Sequence, residues 1–196
     1  MSNPRLRLVP GARSSAGGGR GSERLSPEQL RRLVLPVQRL LTRYTPPAQF
    51  RAAILALDYV IELWDQYLVA LDEPVPVRVH EAVGAARAGV AEWLRRDSPA
   101  GERSAVFAAV KEAHIFVAGR KERESEPARG VCVAALALVA AAIEDSRPDP
   151  TDMELRLGKV VFMCAVVHNQ AFPQRRPFAE AWVESLEDIE SESSIQ

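Results

Sequence analysis

A row of acidic side chains is the strongest candidate for chemistry in this chain of 196 residues. Its members follow one another at offsets of four, three and seven residues and form what we call the acidic stripe: Asp58, Glu62, Asp65 and Asp72. Such offsets place side chains on one face of an α-helix. Carboxylates on one face attract a basic protein surface and speed its association. The stripe therefore predicts a binding surface for a basic partner protein, with an ordinary solvated helix face as the alternative.

The three histidines, His80, His114 and His168, are the residues that could transfer protons or hold a metal ion. They fall on three different predicted helices, and none has the Glu-x-x-His spacing of di-metal sites in helical bundles. A metal site that combines Asp58 and Glu62 with His80 and His114 is an alternative. Because the spacing is missing, we predict no metal and no cofactor.

The chain also lacks the short motifs that mark common catalytic sites. It has no Gly-x-Ser-x-Gly elbow, no P-loop, no Gly-x-Gly-x-x-Gly and no Cys-x-x-Cys. The two cysteines, Cys132 and Cys164, lie in apolar runs and are expected to be buried free thiols. We therefore predict no catalytic residue. An enzyme whose catalytic groups converge from unmarked positions is the alternative.

Apolar residues at regular spacing define the helix that carries the acidic stripe. Their spacing is 4-3-4-3-4-3 without interruption, and we call them the apolar seam: Phe50, Ile54, Leu57, Ile61, Trp64, Leu68 and Leu71. This spacing is typical of a helix that packs lengthwise against other helices. It predicts one long helix over 47–71, with a core face beside a charged face.

Proline after a capping residue marks the predicted starts of four helices: Ser26-Pro27, Thr45-Pro46, Ser98-Pro99 and Asp149-Pro150. The first residue offers a side-chain oxygen to the helix N-terminus, and the missing N–H of proline costs nothing at the first helical position. Together with apolar periodicity, these starts predict helices at 27–43, 47–71, 76–96, 99–120, 127–145, 150–170 and 177–189. The β-branched run from Val160 to Val167 could also be a strand, but a lone strand has nothing to pair with.

One predicted helix is apolar on all sides. The run from Gly130 to Ile143 contains no charged residue and is rich in alanine. A helix of this kind has to be enclosed by other helices. We predict a single all-α domain over 25–189, a bundle of six or seven helices around this central helix.

The two ends of the chain carry opposite charge. Residues 1–24 hold five arginines and one glutamate among glycine and serine, whereas residues 180–196 hold six acidic residues and no basic one. These compositions predict a flexible basic arm over 1–24 and a disordered acidic tail over 190–196. The formal net charge is −1, and the arm has no aromatic residue, which argues against nucleic acid as a partner.

The sequence predicts no contact with a membrane. The N-terminal arginines are not followed by the apolar core of a signal peptide. The apolar run 130–143 is shorter than the roughly 20 residues that cross a bilayer as a helix. We expect a cytoplasmic protein.

The stretches 78–88 and 130–143 resemble segments of the alanine-rich helical immunity proteins of bacterial toxin systems. The first is Arg78-Val-His-Glu-Ala-Val-Gly-Ala-Ala-Arg87-Ala, which follows a long helix and the acidic turn Leu71-Asp72-Glu73-Pro74. The second is the alanine-rich segment 130–143, although Ile143-Glu144-Asp145 stands where that group has a histidine-rich ending. The resemblance covers about 90 residues and implies a non-enzymatic cytoplasmic protein that binds and neutralises a partner.

The sequence thus favours a non-catalytic protein that binds another protein, with toxin neutralisation as the narrower expectation. Two alternatives belong to other classes. One is a small-ligand-binding protein or enzyme with a pocket between helices, which would use His80 or His114. The other is a homodimer in which the apolar seam of helix 47–71 forms the subunit contact.

Overall fold

The computed structural model describes residues 37, 39–96, 100–120, 125–144 and 150–193. Within these ranges the chain forms seven helices and no strand, which confirms the predicted all-α bundle. In chain order they are α1 Pro46–Asp58, α2 Glu62–Val69, α3 Val77–Trp93, α4 Ala100–Ala118, α5 Ser125–Glu144, α6 Pro150–Ala171 and α7 Phe178–Ser193. The predicted arm 1–24 and most of the predicted helix 27–43 lie outside the described residues.

Proline marks two helix starts as predicted, at Pro46 for α1 and Pro150 for α6. At α1 the preceding Thr45 has extended backbone angles, but its side chain makes no capping hydrogen bond. The fixed φ angle of proline therefore sets this start without help from the threonine hydroxyl. The run from Val160 to Val167 lies inside α6 and is helical, so the strand alternative is wrong.

The predicted helix 47–71 is wrong as a single element, because it is divided into α1 and α2. Between them the backbone N–H groups of Val60 and Leu63 donate to carbonyls three residues back rather than four. This tighter turn shifts the helical phase. Val60, which is not a seam residue, is fully buried, whereas the seam residue Ile61 is only half-buried.

Most of the apolar seam nevertheless lies in the core. Five of its members are buried: Phe50, Ile54, Leu57, Trp64 and Leu68. The indole Nε1 of Trp64 also donates to the carbonyl oxygen of His80, 3.1 Å away, and so ties α2 to α3. These five side chains therefore belong to the core of a single chain.

Helix α5 is the centre of the bundle, as predicted. It packs against α1, α2, α3, α4 and α6. It lies close to α6 at Gly130, where an added Cβ would lie 2.3 Å from Cγ2 of Val167. Only a residue without a side chain permits this separation of the two helix backbones.

Helix α5 is buried along most of its length, as predicted, but it is not covered on every side. Val133, Leu136 and Ala140 are only half-buried, because α4 and α6 lie on either side of α5 without packing extensively against each other. The stretch Ser125–Ile143 is longer than the apolar run 130–143, and by length and hydropathy alone it could cross a membrane. However, 61% of it is buried inside the bundle, as is typical of a core helix.

Helix α7 is held against α1 by hydrogen bonds from aromatic side chains. The indole Nε1 of Trp182 donates to the carbonyl oxygen of Ala52 at 3.0 Å, and Tyr59 Oη lies 3.0 Å from Ser185 Oγ. The helix continues to Ser193, into the segment predicted to be a disordered tail. No glycine or proline interrupts the sequence from 178 to 193, so nothing local ends the helix earlier.

Candidate functional site

The acidic stripe does not present four equivalent charges to solvent. Asp58, at the end of α1, accepts two hydrogen bonds from Arg87 on α3: Nε to Oδ1 and Nη2 to Oδ2 are each 2.8 Å. This bidentate pair raises the pKa of Arg87, through the hydrogen bond first and then through the charge of Asp58. Much of the charge of Asp58 is therefore satisfied within the chain.

A second member of the stripe is also paired. Oε1 of Glu62 lies 2.6 Å from Nη1 of Arg175, in the segment between α6 and α7. By contrast, Asp65 and Asp72 are exposed and form no ion pair with a described basic residue. Half of the stripe thus stabilises helix contacts, while the other half is available to a partner.

Asp65 lies on the wall of a groove between α2 and α3. The two helices run antiparallel. Asp58, which precedes α2 in the chain, contacts Arg87 in the middle of α3, whereas Trp64 within α2 contacts His80 near the start of α3. The groove has a volume of about 460 Å³. Its lining combines acidic, apolar and small residues: Ile61, Asp65, His80, Glu81, Gly84, Ala85 and Ala88.

Carboxylates stand on both walls of this groove. Asp65 belongs to α2 and Glu81 to α3, and neither pairs with a basic residue in the part of the chain described here. The floor is shallow and open because Gly84 has no side chain, and an added Cβ there would meet nothing within 4 Å. A partner side chain or helix could therefore approach the backbone of α3 closely.

Two exposed valines extend the groove toward the loop that joins its helices. Val69 is 83% exposed and Val77 is 70% exposed. Val69 follows Asp65 by four residues and Val77 precedes Glu81 by four, so each lies one turn further along the face that lines the groove. Large apolar side chains exposed next to uncompensated charge are a common composition of protein-binding surfaces. We call this surface the α2–α3 groove.

The histidines do not form a metal site with the stripe. His80 lines the α2–α3 groove, whereas His114 lines a different cleft, between α4, α5 and α6. His168 is buried among the rings of Tyr59, Phe172 and Phe178. No three His, Cys, Asp or Glu side chains among the described residues come together closely enough to hold a metal ion.

The two cysteines lie in an environment that disfavours the reactive thiolate form. Both are buried free thiols, as predicted. Burial raises the pKa of Cys132 to about 12. Burial, with a smaller contribution from the charge of Asp58, also raises the pKa of Cys164. At neutral pH both therefore remain protonated thiols, and a thiol reacts far more slowly than a thiolate.

Sequence reasoning found Asp65 but missed the opposite wall of the groove. Glu81 is not part of the acidic stripe, and the small residues Gly84, Ala85 and Ala88 entered only as part of the stretch that resembles the immunity proteins. A signal was present: these three recur at helical spacing on an exposed face of α3. A row of small residues on a solvent-facing helix surface leaves room for a close neighbour. Which element it faces depends on the tertiary structure.

Comparison with known families and proteins assigns no relative to this chain. No family model, no curated protein and no solved structure matches it.

Proposed function

We propose that this chain is a non-catalytic binding protein that captures a basic, partly apolar segment of another protein in the α2–α3 groove. The observation that carries the proposal is the pair of uncompensated carboxylates, Asp65 and Glu81, on facing walls of an open groove. A Lys or Arg side chain between them would satisfy both carboxylates. The exposed Val69 and Val77 would cover an apolar residue of the same segment.

The chemistry of the site favours binding over catalysis. The groove holds carboxylates and one imidazole but no activated nucleophile, and the thiols of the chain are buried and protonated. Charge on exposed groove walls acts at a distance of about 8 Å at physiological ionic strength, so it mainly accelerates encounter with a basic surface. The exposed valines provide the short-range apolar contact that slows dissociation.

The resemblance to helical immunity proteins supports a narrower form of the proposal, in which the partner is a basic toxin. The segment on which that resemblance rests, 78–88, supplies one whole wall and the floor of the groove. Of its Ala85-Ala86-Arg87 triplet, Ala85 lines the groove, Ala86 is buried and Arg87 pairs with Asp58.

The test compares two groove variants with matched controls outside the groove. In the first variant, Asp65→Lys and Glu81→Lys together reverse the charge of the walls. In the second, Gly84→Leu fills the floor, where the structure has open space. Gly101→Leu is the control for the second, because Gly101 is also exposed and helical with nothing near its Cβ position. Asp152→Lys is the charge control on α6.

Partner proteins recovered by the wild type from a lysate of the native host are identified and then measured individually by surface plasmon resonance. We expect the charge variant to slow association by about tenfold or more and to abolish the salt dependence. We expect Gly84→Leu to weaken binding while Gly101→Leu and Asp152→Lys leave it unchanged. If every recovered partner binds both groove variants as tightly as the wild type, the α2–α3 groove is not the binding surface.

A further inference from the structure

The exposed face of the central helix forms the floor of a second cleft, separate from the α2–α3 groove. This cleft lies between α4, α5 and α6 and has a volume of about 400 Å³. Its floor is apolar and is formed largely by residues of α5 that the neighbouring helices leave half-covered. Among the floor residues are Phe107, Val133, Leu136 and Ala140. We call it the basic cleft, after its rim.

The rim of the basic cleft carries positive charge from two helices. Lys111 comes from α4, and Arg156 and Lys159 come from α6, while the imidazole of His114 on α4 lines the rim beside them. No carboxylate is among the described residues that line the cleft. Within the described part of the chain, neither Lys111 nor Lys159 forms an ion pair. In a protein with a net charge of −1, this concentration of cations is a local excess.

The cations repel one another and are partly withdrawn from water. Burial lowers the pKa of Lys159, and the charge of Arg156 lowers it further. Burial also lowers the pKa of His114, with smaller contributions from Arg129 and Lys159. The charged forms of these groups are therefore disfavoured in the empty cleft. An anion bound among them would stabilise the charged forms and would itself be attracted to the site.

We propose that the basic cleft is a binding site for a small amphipathic anion, an apolar body that ends in a carboxylate or a phosphate. The half-covered apolar floor would take the body of the ligand, and the rim would hold the head group. A volume of about 400 Å³ falls within the usual range of small-molecule sites, which are mostly apolar with a few oriented polar groups. A neutral apolar ligand would use the floor alone, whereas a simple inorganic anion would use the rim alone.

Isothermal titration calorimetry on the full chain tests this assignment with four probes that share a ten-carbon chain. Each probe is used at a concentration below that at which it forms micelles. Decanoate and decyl phosphate carry the two head groups, decanol is the neutral control and decyltrimethylammonium is the cationic control. At least one anion should bind about tenfold or more tightly than decanol, since a charge-assisted hydrogen bond contributes that much. The stronger of the two anions identifies the head group. Equal binding of decanol, or no binding of either anion, overturns the proposal.

Substitutions in the basic cleft test whether the anionic probe binds there. Lys111→Gln and Lys159→Gln should each weaken the better anion by about tenfold without changing decanol binding. Ala140→Phe should displace all probes by filling the floor. Arg51→Gln removes an exposed charge from α1, outside the cleft, and should have no effect. Because Lys111 is exposed, its substitution should leave the thermal unfolding curve unchanged. Unchanged anion affinity in both lysine variants would place the anion elsewhere and overturn the proposal.

Discussion

Arg87 and Asp58 are 29 residues apart in sequence, yet they form a bidentate ion pair with two N–O distances of 2.8 Å. The pair joins the end of α1 to the middle of α3 at the point where α1 gives way to α2. It therefore braces the break in the predicted long helix. It also removes the first residue of the acidic stripe from the set of charges that a partner can reach.

We expect this pair to contribute measurably to stability. A double-mutant cycle with Arg87→Ala and Asp58→Ala should give a coupling free energy of about 0.5–1 kcal/mol, the upper part of the range for ion pairs open to solvent. The guanidinium fork matches the carboxylate, which is the geometry that makes such pairs effective. The exposed pair Arg96–Glu92, within α3 and the turn after it, is the control and should couple by about 0.3–0.5 kcal/mol. Equal coupling in the two cycles would contradict the special role of Arg87.

The break between α1 and α2 predicts an order of stability effects that differs from the order expected from the apolar seam. Leu57→Ala should cost about 2–5 kcal/mol because Leu57 is fully buried. Val60→Ala should cost about 1.5–3 kcal/mol for the same reason. Ile61→Ala should cost less than Val60→Ala, although Ile61 is the larger side chain and belongs to the seam. Urea unfolding of the three variants measures this order. A larger loss for Ile61 than for Val60 would mean that the helix is continuous.

The glycines of α5 and α3 should respond in opposite ways to the same substitution. Gly130→Ala should destabilise the protein by about 1–3 kcal/mol, because the new methyl group would collide with the buried Val167. Gly84→Ala should stabilise it by about 0.5–1 kcal/mol, because alanine is the better helix former and the added Cβ meets open space. Thermal and urea unfolding measure both. If Gly130→Ala is neutral, α5 and α6 are further apart than the structure has them.

The basic cleft predicts a pH-dependent loss of stability through His114. Burial, Arg129 and Lys159 hold the pKa of His114 below its ordinary value of 6.5. As the pH falls through that value, the unfolded chain takes up its proton before the folded chain does, so the free energy of unfolding decreases. The decrease ends once the pH is below the folded-state pKa.

His114→Gln should remove this contribution. Between about pH 7.5 and pH 5.5, the wild type should therefore lose more stability than the variant in urea unfolding. Lys111, Arg156 and Lys159 face the same cleft and are present in both proteins, so the difference between the two curves reports on position 114. Parallel curves for wild type and His114→Gln would contradict the shift.

Local sequence signals account for the helices of this protein. Apolar spacing and the Ser/Thr/Asp-Pro pairs depend on residues within a few positions of one another, and they predicted the elements around α3, α4, α5 and α6 to within a few residues. They could not predict the turn at Val60. The residues on either side of that turn have right-handed helical backbone angles, and the apolar residues keep their 4-3 spacing in the sequence. The turn nevertheless changes which side chains enter the core.

The candidate sites depend on distances between helices, which no local pattern contains. Charge spacing alone made Asp58, Glu62, Asp65 and Asp72 look equivalent, but Arg87 and Arg175 reach the first two from elsewhere in the chain. The facing carboxylate Glu81 and the cations of the basic cleft likewise come together only when antiparallel or flanking helices pack. Sequence by itself determined where helices form and which faces are apolar, because those are properties of neighbouring residues. Tertiary structure alone decided which charges are neutralised and which remain to bind another molecule, because Coulomb interactions depend on separation in space.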